Sequence, residues 1–399
     1  MHISERARRM EPSATLAVVA KAKALKREGK PVISFGAGEP DFQSPASALE
    51  YAHTAMEKGQ THYTPASGIP ELKEEVCNYY KSHFNLSYES NQVLIGAGAK
   101  PLLYEALGCT VDPGDEVLVF TPAWVSYVEQ IRLFEGKAVL IDTSDTGFVP
   151  DLERVRKAIT SKTRCMMINS PNNPTGAVYD EKTLKGLADL AIKHNIVIIY
   201  DEIYERLVYG EAKHHQILNL CPEAKDLTII INGVSKAFAM TGWRIGYALG
   251  PAEIIAKMGS FQGHLTSNAC SIAQWAALGA LRGAEKDVQA MHGEFSKRRD
   301  LIISLLKDMP LISFQEPRGA FYVWIDVKNT LGKKHDNRTI TDDGSFCTAL
   351  LESKYVAGVA GVPGAAFMVP GNMRVSYSNS SEEIRDGMKR LKEFLEELK

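Results

Sequence analysis

The sequence predicts an α/β protein with a large domain, built on a mostly parallel, helix-covered sheet, and a smaller α+β domain. Strand-like and helical segments alternate from about residue 90, which is typical of βαβ units around a parallel sheet. Residues 196–200 (IVIIY) and 227–231 (LTIII) are apolar almost throughout. Such segments are expected when helices cover both faces of a strand.

The individual elements follow from local patterns in chain order. Residues 14–29 are predicted to form a helix with Ser13 as its N-cap, and residues 32–35 a short strand that leads into a glycine-containing turn. The next predicted strands are residues 92–95, 116–120, 137–141, 165–169, 196–200 and 227–231, and the helices between them are residues 100–110, 125–134, 152–159 and 182–193.

The C-terminal part has a different pattern. A long helix over residues 284–306 is followed by predicted strands at 320–327 and 373–377 and by a helix from Ser381. We therefore predict a large domain over residues 46–290. The predicted small domain combines both termini, residues 1–45 and 291–399.

Composition excludes several classes of protein. The 399 residues contain 46 Lys and Arg against 48 Asp and Glu, so the net charge of −2 gives no basic field for nucleic acid. No apolar segment approaches the ~20 residues that span a bilayer, so no membrane partner is expected. Six dispersed cysteines with no metal-site spacing, and a charged start (MHISERARRM), predict a cytoplasmic protein.

Unusual residues follow five of the predicted strands. In open α/β sheets, ligands bind at the carboxyl ends of the strands, so these segments should meet. Each has an ordinary structural explanation: a tight turn for the glycines, a core position for Trp124, a helix cap for Asp201 and a solvated surface for Lys236. Their coincidence predicts one site. The segments are residues 96–100 (GAGAK), 121–124 (TPAW), 170–176 (SPNNPTG), 201–204 (DEIY) and 232–236 (NGVSK).

This set of side chains suits pyridoxal 5'-phosphate. A lysine amine forms a Schiff base with an aldehyde when its pKa is depressed, and the cofactor also needs an anion at its pyridinium nitrogen. An aromatic face, donors to the phenolic oxygen and a cationic phosphate seat complete the requirement. The residues that fit these roles are, in order, Lys236, Asp201, Trp124, Asn173 with Tyr204, and Arg244 with Gly98, Ala99 and Lys100.

Residues 235–247 (SKAFAMTGWRIGY) resemble the cofactor-lysine signature of the class I/II aminotransferases, which are fold-type-I pyridoxal phosphate enzymes. Residues 36–42 (GAGEPDF), 170–176, 201–204 and 372–377 (NMRVSY) resemble further motifs of that family in the same order. The resemblance covers essentially the whole chain. Within the family, the sequence is most similar to the prokaryotic aspartate aminotransferases that carry Lys100 after the glycine turn.

The resemblance implies roles for substrate-binding residues. Arg374 would bind the substrate α-carboxylate, and Gly38 would contact substrate through its backbone, with Trp124 and Asn173 also at the substrate. Tyr63 would reach the phosphate of a neighbouring subunit's cofactor, which makes a homodimer the expected active unit. One position departs from the family, because many relatives carry a serine where this chain has Gly233.

The expected reaction is transfer of the amino group of L-aspartate or L-glutamate to a 2-oxo acid, with Lys236 moving the proton from the substrate Cα. Lys100 would pair with the distal carboxylate, which is also compatible with prephenate, or would be a solvated helix residue. An aromatic or alanine aminotransferase and a pyridoxal phosphate β-lyase or cyclising lyase remain alternatives on the same scaffold. A non-enzymatic regulator is disfavoured, because family regulators carry an added DNA-binding domain.

Overall fold

A seven-stranded sheet forms the centre of the computed structural model, which describes residues 1–353 and 358–399. Six strands run parallel, and one strand, Gly246–Leu249, runs antiparallel between two of them. This confirms the predicted mostly parallel sheet. In spatial order the strands are Val93–Gly96, Gly246–Leu249, Thr228–Gly233, Val197–Asp201, Thr163–Asn169, Glu116–Thr121 and Lys137–Asp142.

Both faces of this sheet are buried, and the strand sequences show why. Along Thr228–Gly233, Ile230 packs into the core on one face, while Ile229 and Ile231 pack into the core on the other. A strand with apolar cover on both sides has no polar alternation, which explains the apolar segments in the sequence. The covering helices are Ala46–Glu57, Pro70–Phe84, Glu181–His194 and Ser271–Gly283 on one side, and Ala99–Thr110, Ser126–Leu133 and Ala252–Leu265 on the other.

A second, antiparallel sheet lies in the C-terminal part of the chain, as the predicted α+β unit requires. Its strands are, in order, Val362–Pro363, Asn372–Ser376, Tyr322–Asp326 and Ser313–Phe314. Helices Glu285–Leu306 and Ser381–Glu396 pack with this sheet in a separate core that also takes Phe35 from the N-terminal segment. Tyr204, from the region of the large sheet, contributes to the same core. Because this core includes residues from both regions, the predicted domain boundaries at residues 45/46 and 290/291 stay a prediction.

Every predicted strand and helix is present, with ends within two residues of the prediction. The Ser13 hydroxyl accepts from the Leu16 amide and caps helix Ala14–Arg27. Some helices were not predicted, and Ser271–Gly283 shows the reason: eight of its residues are buried, so it lacks the one-sided apolar stripe that marks an amphipathic helix. The other unpredicted helices include Ala46–Glu57, Pro70–Phe84, Ala252–Leu265 and Asp343–Glu352.

The remaining elements are short. Strand Ile33–Ser34 pairs in parallel with Val359–Ala360, which joins the N-terminal segment to the C-terminal unit. The others are helices Glu5–Arg8, Leu152–Ala158 and Ile217–Leu220, a hairpin of Lys334–His335 with Arg338–Thr339, and 3-10 turns such as Thr241–Trp243. No helix within residues 1–353 and 358–399 is both long and apolar enough to cross a bilayer.

Candidate active site

A cavity of about 350 Å³ opens at the carboxyl ends of the parallel strands. It brings together residues that are far apart in the sequence but that the strand-end rule places at one sheet edge. The predicted site residues that line it are Gly38, Ala99, Lys100, Trp124, Asn173, Asp201, Tyr204, Lys236, Arg244 and Arg374. Gly98 lies against Arg244 at its edge. The cavity is therefore the candidate active site.

Lys236 follows strand Thr228–Gly233 and extends into the cavity. Its Nζ donates a hydrogen bond to the carbonyl oxygen of Gly38 at 2.5 Å. Burial lowers the pKa of Lys236 to about 8; the carboxylate of Glu39 opposes this shift, and the cations of Arg374 and Arg244 add to it. A substantial fraction of this amine is therefore neutral near physiological pH, as a nucleophile or base requires.

Asp201 ends strand Val197–Asp201 and is buried beside the cavity. Its carboxylate accepts hydrogen bonds from the Tyr127 hydroxyl at 2.6 Å and from the Ile203 amide at 3.3 Å. Burial raises the pKa of Asp201 to about 6, and the bond from Tyr127 opposes the shift. No cationic side chain lies within ion-pair distance of this carboxylate in the part of the chain that the structure describes. This buried carboxylate therefore suits a bound cation.

Arg374 lies on strand Asn372–Ser376 and is only 2% exposed. Its guanidinium donates to the side-chain oxygen of Asn173 at 2.9 Å and to the carbonyl oxygen of Gly36 at 2.6 Å. Both acceptors are neutral, and the buried Nε has no partner among the described residues. This arginine therefore presents an unneutralised charge to the cavity, which suits a carboxylate.

The Asn173 amide is oriented by these contacts. Its side-chain oxygen accepts from Arg374, so its NH₂ group remains as a donor toward the cavity. The Asn173 backbone amide donates to the side-chain oxygen of Asn169 at 2.8 Å, and the Asn169 NH₂ group donates to the carbonyl oxygen of Asp201 at 3.0 Å. These two bonds connect the turn that carries Asn173 to the end of strand Val197–Asp201.

The glycine turn meets Arg244. Gly98 has φ +97°, and a Cβ on it would collide with the Arg244 guanidinium. A Cβ on Gly246 would equally collide with the backbone of Ala99. Only glycines permit this approach, which places a cation at the N-terminus of helix Ala99–Thr110. Free amides, the helix dipole and a guanidinium together make an anion site.

Lys100 and Trp124 lie together at the cavity. The Lys100 Nζ is 4.7 Å from the centroid of the Trp124 ring, within the range of a cation–π contact. Burial lowers the pKa of Lys100, and the nearby charge of Arg244 adds to the shift. Lys100 is solvent-exposed in this chain and also lines the cavity, so its ammonium group is available to a ligand there.

Two tyrosines of the site were missed in the sequence. Tyr127, which donates to Asp201, stands within a predicted helix, and Tyr322 lines the cavity from the second sheet. Ser13, Thr15 and Leu16 at the start of an N-terminal helix were missed as well. None of these residues belongs to a strand-end segment. The search for unusual residues directly after predicted strands therefore could not identify them.

Two positions noted in the sequence, Tyr63 and Gly233, do not line the cavity. Tyr63 is 91% exposed and does not line this chain's cavity, so its predicted contact across a dimer stays a prediction. At Gly233, a Cβ would lie 2.8 Å from both the Ile245 carbonyl oxygen and the Gly246 Cα. No side chain fits there without backbone movement, which is why a serine has no room at this position.

Comparison with known proteins agrees with this geometry. Residues 30–391 match the family described as aminotransferase class I and II. The chain is 43% identical over 397 residues to an aspartate aminotransferase of Geobacillus stearothermophilus, with 99% of both chains covered. It is 42% identical over 395 residues to an aspartate/prephenate aminotransferase of Cereibacter sphaeroides, with 98% of both covered.

A solved structure is similar across the whole fold. The aspartate aminotransferase of Thermus thermophilus with maleate has a TM-score of 0.92 and 41% identity, covering 99% of this chain and 100% of the other. The match includes both sheets and therefore the strand ends that form the cavity. This transaminase chain belongs to the class I and II aminotransferases.

Proposed function

We propose that the chain is a pyridoxal phosphate-dependent aspartate aminotransferase, which transfers the amino group of L-aspartate or L-glutamate to a 2-oxo acid. One observation carries this proposal. A lysine with a lowered pKa, a buried carboxylate without a counter-ion and a buried, unneutralised arginine line the same cavity. These are the groups needed to hold an aldehyde cofactor and the α-carboxylate of an amino acid.

The cavity residues fit the cofactor group by group. Asp201 supplies the anion for a protonated ring nitrogen, and Arg244 with the amides after Gly98 supplies a seat for the phosphate. Tyr204 and the Asn173 NH₂ group are donors for the phenolic oxygen, and Trp124 supplies the aromatic face. When bound, pyridoxal phosphate acts as an electron sink for the bonds at the substrate Cα.

The protein residues then perform three tasks. Arg374 would bind and orient the α-carboxylate, because it lines the cavity and its guanidinium has only neutral acceptors. Lys236, partly neutral near pH 8, would act as the general base that removes the proton from the substrate Cα. Asp201 would hold the proton of the ring nitrogen, since its buried carboxylate has no ion-pair partner among the described residues.

Lys100 supports specificity for dicarboxylic substrates. Its ammonium group faces the cavity beside Trp124, where it can pair with a distal carboxylate. An ammonium group is a point charge without the planar geometry of an arginine, so it can accept acids of different shape. Because the Cereibacter sphaeroides relative is named for prephenate as well, we propose prephenate as a second amino acceptor.

We propose a homodimer as the active unit, with a large domain over residues 46–290 and a small domain from the two termini. The exposure of Tyr63 supports this, because an aromatic side chain that is 91% exposed in one chain is available to a second. In the dimer, Tyr63 would contact the phosphate in the partner's cavity.

The first experiment is the absorption spectrum of the purified protein, before and after L-aspartate is added alone. We expect a visible band that L-aspartate converts to the spectrum of the aminated cofactor, without a 2-oxo acid present. The Lys236→Ala protein should show neither the band nor turnover. A visible band that does not respond would favour aromatic or alanine donors, and release of ammonia or pyruvate from one amino acid would identify a lyase.

Substrate choice is tested at Lys100. Loss of one charge-assisted contact, worth roughly 1.5–3 kcal/mol, should lower kcat/KM for L-aspartate by about 10–100-fold in Lys100→Ala. The value for L-alanine, which has no distal carboxylate, should change little. Equal loss for both substrates would contradict a role in specificity and would assign Lys100 to the scaffold.

A further inference from the structure

We propose that Tyr322 is a positioning residue of this site: its hydroxyl directs the proton of Tyr204 into the cavity, and its ring holds the guanidinium of Arg374. The inference rests on the proposed function, since it concerns the groups that face cofactor and substrate. Tyr322 itself belongs to none of the strand-end segments that define the site.

Tyr322 forms part of the cavity wall. It begins strand Tyr322–Asp326, is 1% exposed and lines the cavity. Its hydroxyl lies 2.9 Å from the hydroxyl of Tyr204. A Cβ on Gly38 would collide with the same hydroxyl, so the substrate-side backbone packs directly against Tyr322.

The count of protons limits the hydroxyl pair to two arrangements. Each phenol has one proton, and within the described residues the two hydroxyls have only each other as hydrogen-bond partners. If Tyr204 donated to Tyr322, its proton would point away from the cavity. If Tyr322 donates, the proton of Tyr204 is free for an acceptor in the cavity, and the first bond strengthens the second. An anionic oxygen on the cofactor selects this second arrangement.

The ring of Tyr322 acts on Arg374. Register places Arg374 opposite Trp324 and Ser376 opposite Tyr322 on the neighbouring antiparallel strand. Tyr322 and Arg374 are therefore diagonal neighbours on one face of the sheet, within reach of each other. The Arg374 Cζ lies 4.4 Å from the centroid of the Tyr322 ring and 5.0 Å from that of the Phe367 ring. Of the two rings, Tyr322 is the nearer and the one that lines the cavity, and with the two hydrogen bonds of Arg374 it orients the guanidinium.

Two variants separate the hydroxyl from the ring. Tyr322→Phe removes only the hydroxyl, and Tyr322→Leu removes the aromatic face as well. Tyr377→Phe is a matched control, because Tyr377 is equally buried and its hydroxyl donates to the Ala320 carbonyl oxygen at 3.2 Å, outside the cavity. Thermal unfolding of all three proteins reports any general loss of packing.

The hydroxyl is tested by a pH titration of the cofactor-loaded protein without substrate, read from its visible absorption. A donor to the phenolic oxygen stabilises its anionic form, so losing that donor should raise the apparent pKa of the absorbing group. We expect Tyr322→Phe to shift this pKa upward, in the same direction as Tyr204→Phe but by less. A titration equal to wild type, as expected for Tyr377→Phe, would overturn the role of the hydroxyl.

The ring is tested by binding of maleate, followed in the same absorption band. Tyr322→Phe should keep the dissociation constant within about twofold, while Tyr322→Leu should weaken binding by about tenfold or more, since a desolvated cation–π contact is lost. The KM for L-aspartate should rise with it. Equal binding in the two variants would overturn the role of the ring.

The wild-type spectrum separates this inference from the proposed function. A wild-type protein that takes up no pyridoxal phosphate overturns both. A wild-type protein that takes up cofactor and responds to L-aspartate, while Tyr322→Phe and Tyr322→Leu titrate and bind as it does, overturns the role of Tyr322 alone.

Discussion

Lys236 and Asp201 have pKa shifts of opposite direction with one physical cause. Burial disfavours the charged form of each group, so it lowers the pKa of the lysine and raises that of the carboxyl. Within the described residues, neither group forms an ion pair. The proposed cofactor, with a cationic nitrogen and an aldehyde, would relieve both shifts.

The lysine shift predicts the pH dependence of cofactor uptake. Only the neutral amine attacks an aldehyde, so the rate should rise with pH and level off with a midpoint of about 8. The measurement is the absorbance change when cofactor-free protein is mixed with pyridoxal phosphate at several pH values, with Lys236→Ala as the blank. A rate that keeps rising toward pH ~10, the ordinary range of lysine, would contradict the lowered pKa.

The carboxyl shift predicts a pH-dependent cost to stability. The folded pKa of Asp201, about 6, exceeds its ordinary 3.8, so the folded state binds the proton more tightly and loses stability as pH rises through this window. Asp201→Asn removes the cost. The stability of the cofactor-free variant relative to wild type should therefore increase by about 1–1.5 kcal/mol between pH ~5 and pH ~8.

Urea unfolding of both cofactor-free proteins at the two pH values checks this change. Because the comparison uses the same two proteins, titration of other groups cancels to first order. A difference in stability that is independent of pH would show that Asp201 has an ordinary pKa in the folded chain.

At the scale of elements, the anion site depends on how closely a strand and a helix approach. Gly246 begins the antiparallel strand of the large sheet and lies against the backbone of Ala99 at the start of helix Ala99–Thr110. Gly98 leaves the space that the Arg244 guanidinium fills. The helix N-terminus and the arginine thus share one anion because two positions carry no side chain.

Gly98→Ala tests this arrangement. The added methyl would displace Arg244 and strain a backbone with φ +97°, so affinity for pyridoxal phosphate should fall by about tenfold or more. Gly114→Ala is the matched control, because Gly114 has φ +87° with no atom near a Cβ. Each variant should lose roughly 1–3 kcal/mol of stability from strain, but only Gly98→Ala should lose cofactor, as measured by equilibrium titration.

At the scale of the molecule, the cavity is assembled from both sheets. Lys236 and Asp201 come from the large parallel sheet, whereas Arg374 and Tyr322 come from the small antiparallel one. The residues proposed to hold the cofactor therefore lie at the large sheet, and the arginine proposed to bind the substrate carboxylate lies on the small sheet. Substrate affinity depends on how these layers are placed against each other.

The proposed dimer predicts complementation between two defective chains. A hybrid of a Lys236→Ala chain with a Tyr63→Ala chain has one cavity that contains Lys236 and faces the intact Tyr63 of the other chain. If Tyr63 acts across the interface, this cavity should bind cofactor with wild-type affinity, at one equivalent per hybrid dimer. Weak binding, equal to that of a weakly binding Tyr63→Ala homodimer, would show that Tyr63 acts within its own chain. Wild-type affinity in the Tyr63→Ala homodimer itself would show that Tyr63 takes no part.

The sequence predicted most of the fold and the chemical centre of the site for related reasons. Buried strands can be predicted from their apolar composition, and polar residues directly after such strands are unusual. Lys236 and Asp201 could therefore be identified from their positions at strand ends. Arg374 was identified only through family resemblance. Tyr322 could not be found, because its contact with Arg374 depends on the register of two antiparallel strands, and a single tyrosine carries no information about register.

The antiparallel strand of the large sheet, Gly246–Leu249, limits where the chain can accept insertions. Thr228–Gly233 and Gly246–Leu249 pair directly, with Gly233 opposite Gly246, so residues 234–245 form a closed loop between two fixed points. Lys236 and Arg244 both lie in that loop, and their separation is set by its number of residues. Insertions, natural or engineered, should therefore not occur in this loop. One added residue would change the distance between Lys236 and Arg244, and a ligand of fixed length could no longer contact both.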